Sequence, residues 1–198
     1  MLSRPVTNSA FATRGYLLVW ALLLCAACGG GAGGPLSIDG SYRGYSFPAT
    51  DGTLTVEGVP GSGQTFSVLR ISDHADLCSF LHAGQFTDAN MLELHLGAVD
   101  NQGKLVPAFA TGIYQGKPGG PGSHFANAYA LFGAKCLSVA VPTTVSVTVV
   151  ELEAGADGPS HLRGTYQLGF DTGDTMSGAF ELGAGCAPVL GYRYVFCR

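Results

Sequence analysis

Hydrophobic and polar side chains alternate residue by residue along much of the chain after position 36. Leu92, Leu94 and Leu96 share one side of such an alternation, and Glu93 and His95 lie on the other. Because successive side chains of a β-strand point to opposite faces, a period of two predicts strands with one buried face. We predict about ten strands from runs that are rich in β-branched and aromatic residues. The predicted strands are 37–46, 53–59, 65–72, 91–98, 105–115, 124–132, 137–151 with a break at Pro142, 161–170, 176–182 and 191–197.

Turn-forming residues separate the predicted strands, as in the Asp-Thr-Gly-Asp segment at 171–174. Short strands at this spacing predict an all-β fold, an antiparallel β-sandwich with a barrel as the alternative. One segment is an exception to the strand pattern, and we predict a short helix over 74–83. It is expected to begin after Ser72 or Asp73 as its cap.

The N-terminus has the pattern of an export signal. Residues 1–14 are polar and carry Arg4 and Arg14 without an acidic residue, and an apolar run of 12 residues follows at 16–27. A helix of that length is too short to cross a hydrocarbon core of about 30 Å. The pattern therefore predicts an N-terminal signal helix that is removed from the exported protein.

The end of this apolar run, Leu24-Cys-Ala-Ala-Cys28 followed by three glycines, resembles a bacterial lipobox. The resemblance implies cleavage before Cys28, a lipid on its sulfur, and attachment of the protein to a membrane. Cys25 departs from the pattern, because leucine is commonest at that position. The residue after the lipidated cysteine is Gly29 rather than the Asp of inner-membrane retention, so we expect an outer-membrane location. The competing interpretation is an ordinary signal peptide, with Cys28 incidental.

These observations divide the chain into three parts. We predict a lipoprotein signal peptide at 1–27, a glycine-rich tether at 28–35 and a single β domain at 36–198. The whole chain has 198 residues, a formal net charge of −4 and only 12% charged residues. An acidic chain has no electrostatic attraction for nucleic acid, so we expect none as a partner.

The C-terminal half resembles a group of uncharacterised bacterial lipoproteins. The similar segments are Thr144 to Glu151, Leu162 to Phe170, and Met176 to Leu182 with the nearby Cys186; a further match is the Leu-Cys pair that ends at Cys78. The resemblance implies a β-rich lipoprotein and carries no known activity.

Four cysteines remain once Cys25 is removed with the signal and Cys28 carries lipid: Cys78, Cys136, Cys186 and Cys197. An even number in an exported domain predicts two disulfides, for which three connectivities are possible. The resembling lipoproteins often keep only the cysteines that match Cys78 and Cys186. That resemblance implies a Cys78–Cys186 bridge, with Cys136–Cys197 as the second.

A zinc site is the most specific alternative to a disulfide at Cys78. His74, Cys78 and His82 are spaced to lie along one stripe of a helix, and zinc accepts such ligands. Asp73 or Asp76 could complete its ligand shell. The favoured interpretation is a bridged Cys78 with two exposed histidines, and hence no metal or other cofactor.

No catalytic motif stands out, and no serine lies in a Gly-x-Ser-x-Gly elbow. We therefore expect a lipid-anchored lipoprotein of the cell envelope that is not an enzyme, with a binding or structural β domain. The alternatives are a lipocalin-like carrier of an apolar ligand and a small hydrolase or metalloenzyme.

Overall fold

The computed structural model describes residues 35–58, 61–83, 89–133, 139–156, 158–184 and 186. The predicted signal peptide, nearly all of the tether with Cys28, the cysteines Cys136 and Cys197, and the strand predicted at 191–197 lie outside these residues. Within the described part of the chain, no helix is long and apolar enough to cross a membrane.

The described residues form ten strands and one short helix. They are β1 (Asp39–Gly40), β2 (Asp51–Gly58), β3 (Thr65–Ser72), α1 (Leu77–Ala83), β4 (Asn90–Val99), β5 (Leu105–Pro107), β6 (Gly112–Gln115), β7 (His124–Phe132), β8 (Thr144–Gly155), β9 (Gly158–Gly169) and β10 (Thr175–Gly183). The first sheet has the order β1-β10-β9-β8-β6, and the second has β2-β3-β4-β5 with β7 also paired to β4. All of these strand pairs are antiparallel, which confirms the predicted antiparallel β-sandwich.

The two sheets also touch along their sides, so the second sheet curls towards the first. Leu54 of β2 forms a bridge with Ala184, which follows β10. On the other side, the backbone N–H of Ala126 donates to the carbonyl of Gly116 at 3.3 Å. These contacts give the sandwich its barrel-like curvature, the feature that alternation alone left open.

The hydrophobic core lies between the sheets. Leu92, Leu94 and Leu96 of β4 face Val147 and Tyr166 of the first sheet within one buried cluster. The predicted division of β4 into an apolar and a polar side is therefore correct.

Gly164 of β9 is required by this packing. A Cβ on this residue would collide with the carbonyl oxygen of Thr148 and lie 2.8 Å from the ring of Phe180.

Three predicted strands are shorter than expected. The segment 105–115 contains two strands, because the chain turns at Ala110, whose carbonyl accepts a hydrogen bond from Tyr114 Oη at 2.7 Å. In the segment 137–151, strand β8 begins at Thr144, after the expected break at Pro142, since proline has no N–H for the ladder. In the segment 37–46 only Asp39–Gly40 forms a strand.

Helix α1 begins three residues later than predicted, and its cap is a distant residue. Asp76 has a φ of +57°, outside the helical range, so the helix starts at Leu77. The N–H of Leu77 donates to the carboxylate of Asp51 at 2.8 Å. The expected cap Asp73 accepts instead from the N–H of Asn90, also at 2.8 Å.

A disulfide joins Cys78 of α1 to Cys186, which follows β10 and lies 108 residues away. It confirms the bridge that the lipoprotein resemblance implied. It holds α1 against the end of β10, next to Thr53 of β2, whose hydroxyl donates to Cys186 Sγ at 3.2 Å.

Two buried tyrosines make the stability of the fold sensitive to alkaline pH. Burial raises the pKa of Tyr166 well above the 10.0 of a free tyrosine, and the Asp39 carboxylate adds to the effect. Burial also raises the pKa of Tyr114. The unfolded chain therefore loses these protons at a lower pH than the folded chain. The free energy of unfolding should be unaffected by these groups below pH 10.0 and should fall as pH rises above it.

Urea unfolding between about pH 8 and about pH 11 measures this fall. It should be shallower in Tyr166→Phe, which removes one titrating group. Tyr45→Phe, at an exposed tyrosine, controls for the loss of a phenol hydroxyl. A wild-type free energy of unfolding that does not change over this pH range would contradict the prediction.

Candidate functional site

The histidines that sequence reasoning singled out lie at α1 without forming the expected stripe. His74 precedes the helix, and its ring stacks on Phe80 with the centroids 4.2 Å apart. Its Nδ1 lies 2.5 Å from the carbonyl oxygen of Ala75. The sulfur of Cys78 is in the disulfide and so is not a thiolate ligand. The three-residue helical zinc site is therefore wrong, because the helix starts too late and one ligand is oxidised.

A different group of polar residues lies on the outer face of the second sheet, opposite the core. Arg70 of β3 is 0% exposed and pairs across the strands with Glu93 of β4. Its Nε lies 2.6 Å from Glu93 Oε1, and its Nη1 lies 2.6 Å from Glu57 Oε1 and 3.0 Å from Thr55 Oγ1. We call these four residues the Arg70 cluster.

The cluster places one guanidinium between two carboxylates away from solvent. Glu93 is 1% exposed and the side chain of Glu57 is 18% exposed. Removing charges from water costs several kcal/mol each, so such a group persists only where the geometry provides short, charge-assisted hydrogen bonds. The cluster thus fixes the register of β2, β3 and β4 with respect to one another.

Glu93 also connects the cluster to His95, two residues further along β4 on the same face. Glu93 Oε1 binds Arg70, and Glu93 Oε2 lies 3.4 Å from His95 Nε2. The imidazole ring is stacked on Phe66 at 5.0 Å and meets Tyr129 edge-on at 5.2 Å. A carboxylate and two aromatic rings therefore set the orientation of His95.

This histidine lines a surface cavity of about 390 Å³. We call it the aromatic pocket. Its walls include Phe66, His95, Phe125 and Tyr129, with Asn127 beside them and Lys117 from the loop that follows β6. The amide of Asn127 donates to Tyr129 Oη at 2.9 Å. Mostly apolar walls with a few placed polar groups are typical of small-molecule sites, and the volume falls within their usual range.

A second group of titratable side chains lies on the first sheet. Atoms of Glu151, Glu153 and His161 that could bind a metal lie within 4.8 Å of one another. Arg163 already binds Glu151, with Nη2 at 2.8 Å, so a cation there would have to displace a guanidinium. The cross-strand pairing of β8 with β9 places Glu153 opposite His161, a neighbourhood that sequence spacing did not reveal.

Comparisons of this chain with protein-family models, with curated proteins and with solved structures found no match.

Sequence reasoning missed both the Arg70 cluster and the aromatic pocket. It placed Glu93 and His95 on the polar side of β4, which is correct, but gave no reason to single them out. One available signal was Arg70, a lone charge between Leu69 and Ile71 in an otherwise uncharged strand. A charge in such a strand is buried only with a partner.

The cluster should matter far more to stability than an exposed pair of the same chemistry. Glu93→Gln leaves the buried guanidinium without one of its carboxylates, and loss of a partner from a buried pair costs about 3–5 kcal/mol. We therefore expect a decrease of about 3 kcal/mol in the free energy of unfolding, measured by urea denaturation.

The matched control is Glu151→Gln, because the Arg163–Glu151 pair has side chains that are 49% and 45% exposed. That change should cost less than about 1 kcal/mol. Equal losses in the two variants would show that burial does not determine the strength of the Arg70 cluster.

Proposed function

We propose that this protein is a lipoprotein of the bacterial cell envelope, anchored by lipid on Cys28, whose β domain binds a small ligand in the aromatic pocket without transforming it. The N-terminal signal and lipobox pattern support the anchor, and Gly29 supports outer-membrane sorting. The aromatic pocket is the observation that supports binding.

The chemistry of the pocket favours binding over catalysis. Among its described lining residues there is no serine or cysteine to serve as a nucleophile beside His95. The Nε2 of His95 faces Glu93, and Phe66 covers one ring face, so the imidazole is held as part of the wall. A rigid wall of this kind lowers the cost of ordering when a ligand binds.

The packing between the sheets favours this surface pocket over the interior site of a lipocalin-like carrier. Leu94, Tyr114, Val147, Tyr166 and Phe180 meet there and are at most 1% exposed. A carrier of an apolar ligand would need that space. A ligand in the aromatic pocket leaves the core intact.

The anchor is tested by the acyl content of the protein in its own envelope. Mass spectrometry of the N-terminal peptide should find lipid on Cys28, and the protein should sediment with outer membranes. Cys28→Ser should abolish incorporation of labelled fatty acid, whereas Cys25→Ser should retain it because only a cysteine that follows small residues is a lipobox acceptor. A mature protein that begins elsewhere without lipid would contradict the anchor.

The pocket is tested by screening small ring compounds (phenols, indoles and cyclic alcohols) for binding to the detergent-solubilised full chain. Compounds that bind should bind about tenfold more weakly to Tyr129→Ala, since one aromatic contact contributes about 0.5–1.5 kcal/mol beyond its buried area. Asn127→Ala should also weaken binding, and because Asn127 is exposed this substitution carries little risk to folding.

Phe109→Ala is the control, because Phe109 is 56% exposed and is not among the described lining residues. A screen without hits, or hits that both pocket variants bind unchanged, would refute the pocket as the binding site.

A further inference from the structure

The outer face of the first sheet carries a row of uncharged polar side chains. Gln115 of β6 lies opposite Ser146 of β8, which lies opposite Gln167 of β9, which lies opposite Ser177 of β10. The Gln115 amide donates to Ser146 Oγ at 3.1 Å. We call these four residues the polar strip. With neighbouring strands about 4.7–4.9 Å apart, the row extends over about 14 Å.

A shallow depression of about 670 Å³ lies over the polar strip. Gly116, Thr143 and Val145 line both this depression and the aromatic pocket. The two concavities therefore adjoin where β6 ends and β8 begins. Together they form one groove with an aromatic end and a polar end.

The lining of this groove differs in charge from the chain as a whole. The chain has 14 acidic and 10 basic residues. None of the described residues that line either concavity is an aspartate or a glutamate, and Lys117 and His95 are the basic ones. Beyond this lining, the row ends at exposed Asp39 of β1, which lies opposite Ser177. A lining without carboxylates is suited to a ligand whose contacts are hydrogen bonds and ring stacking.

From this arrangement we propose that the groove binds a linear, neutral oligosaccharide. One sugar ring stacks in the aromatic pocket, and the following rings lie along the polar strip. Sugar hydroxyl groups both donate and accept hydrogen bonds, as do the glutamine amides and serine hydroxyls of the strip. The apolar face of a sugar ring packs against an aromatic side chain. The inference depends on the proposed function, since it assigns a ligand class to the same pocket.

The position of the strip favours a glycan over a peptide. A peptide that adds a strand needs the unpaired backbone of a sheet edge. Ser146 and Gln167 lie on β8 and β9, each of which is paired on both sides, so their backbone groups are engaged in the ladder. On β8 and β9, therefore, only side chains are offered to a ligand.

Calorimetry with the detergent-solubilised full chain tests the proposal. The probes are glucose and N-acetylglucosamine, their linear β-linked oligomers of increasing length, and oligogalacturonate as an acidic arm. We expect affinity for neutral oligomers to rise with length. Gln167→Ala should lower the affinity for long oligomers by about threefold to tenfold, because hydrogen bonds are lost. The affinity for the single sugar should be unchanged.

The control is Thr165→Ala, because Thr165 is exposed on the same face of β9, two residues away, outside the described lining of the depression. Affinities for every probe should be unchanged in that variant. Both substitutions replace exposed side chains, so unfolding curves should coincide with that of the parent protein.

Four outcomes would overturn the proposal. Affinity that does not change with oligomer length, or with Gln167→Ala, would restrict binding to the aromatic pocket and leave the proposed function standing. If oligogalacturonate alone binds, and its binding is lost at high salt and in Lys117→Gln, then the groove holds its ligand by charge and not by hydrogen bonds. If no sugar binds while ring compounds still bind, the ligand class is wrong; if neither binds, the proposed function fails as well.

Discussion

The burial of Arg70 between two carboxylates is the constraint on which the second sheet depends. A guanidinium with no exposed surface tolerates only strand registers that keep Glu57 and Glu93 at 2.6 Å. A slip of one residue would turn β3 over and bring the charge into the core, where no described partner lies. The same carboxylate that holds Arg70 lies against His95, so the geometry of the aromatic pocket depends on an ion pair that no ligand would touch.

The disulfide stabilises the other end of the same face of the second sheet. Cys78 and Cys186 are 108 residues apart, and closing a loop of that size removes about 4–5 kcal/mol of unfolded-chain entropy in the simplest treatment. The bridge keeps α1 beside β2, where Asp51 caps a helix of only seven residues that could not persist by itself. In the described part of the chain, a buried ionic cluster, a covalent link and an apolar core thus stabilise the fold together.

The proposed oligosaccharide groove joins two surfaces that the fold brings together. The aromatic pocket belongs to the second sheet, and the polar strip belongs to the first. They adjoin because the sheets touch where Gly116 bonds to Ala126. A flat sandwich with separated edges would leave them as unrelated patches. A ligand can reach a surface groove of this kind without passing through the core.

The sequence by itself determined the all-β class and the apolar face of β4. Residue alternation is a local property, and Leu92, Leu94 and Leu96 face the core as their spacing predicts. The Cys78–Cys186 pairing was implied by resemblance and is confirmed. Tertiary structure alone decided the site. Arg70 meets Glu57 and Glu93, and His95 meets Phe66 and Tyr129, only through pairing between strands that are distant in the sequence. The start of α1 depends likewise on Asp51, and no local pattern encodes a partner that lies 26 residues away.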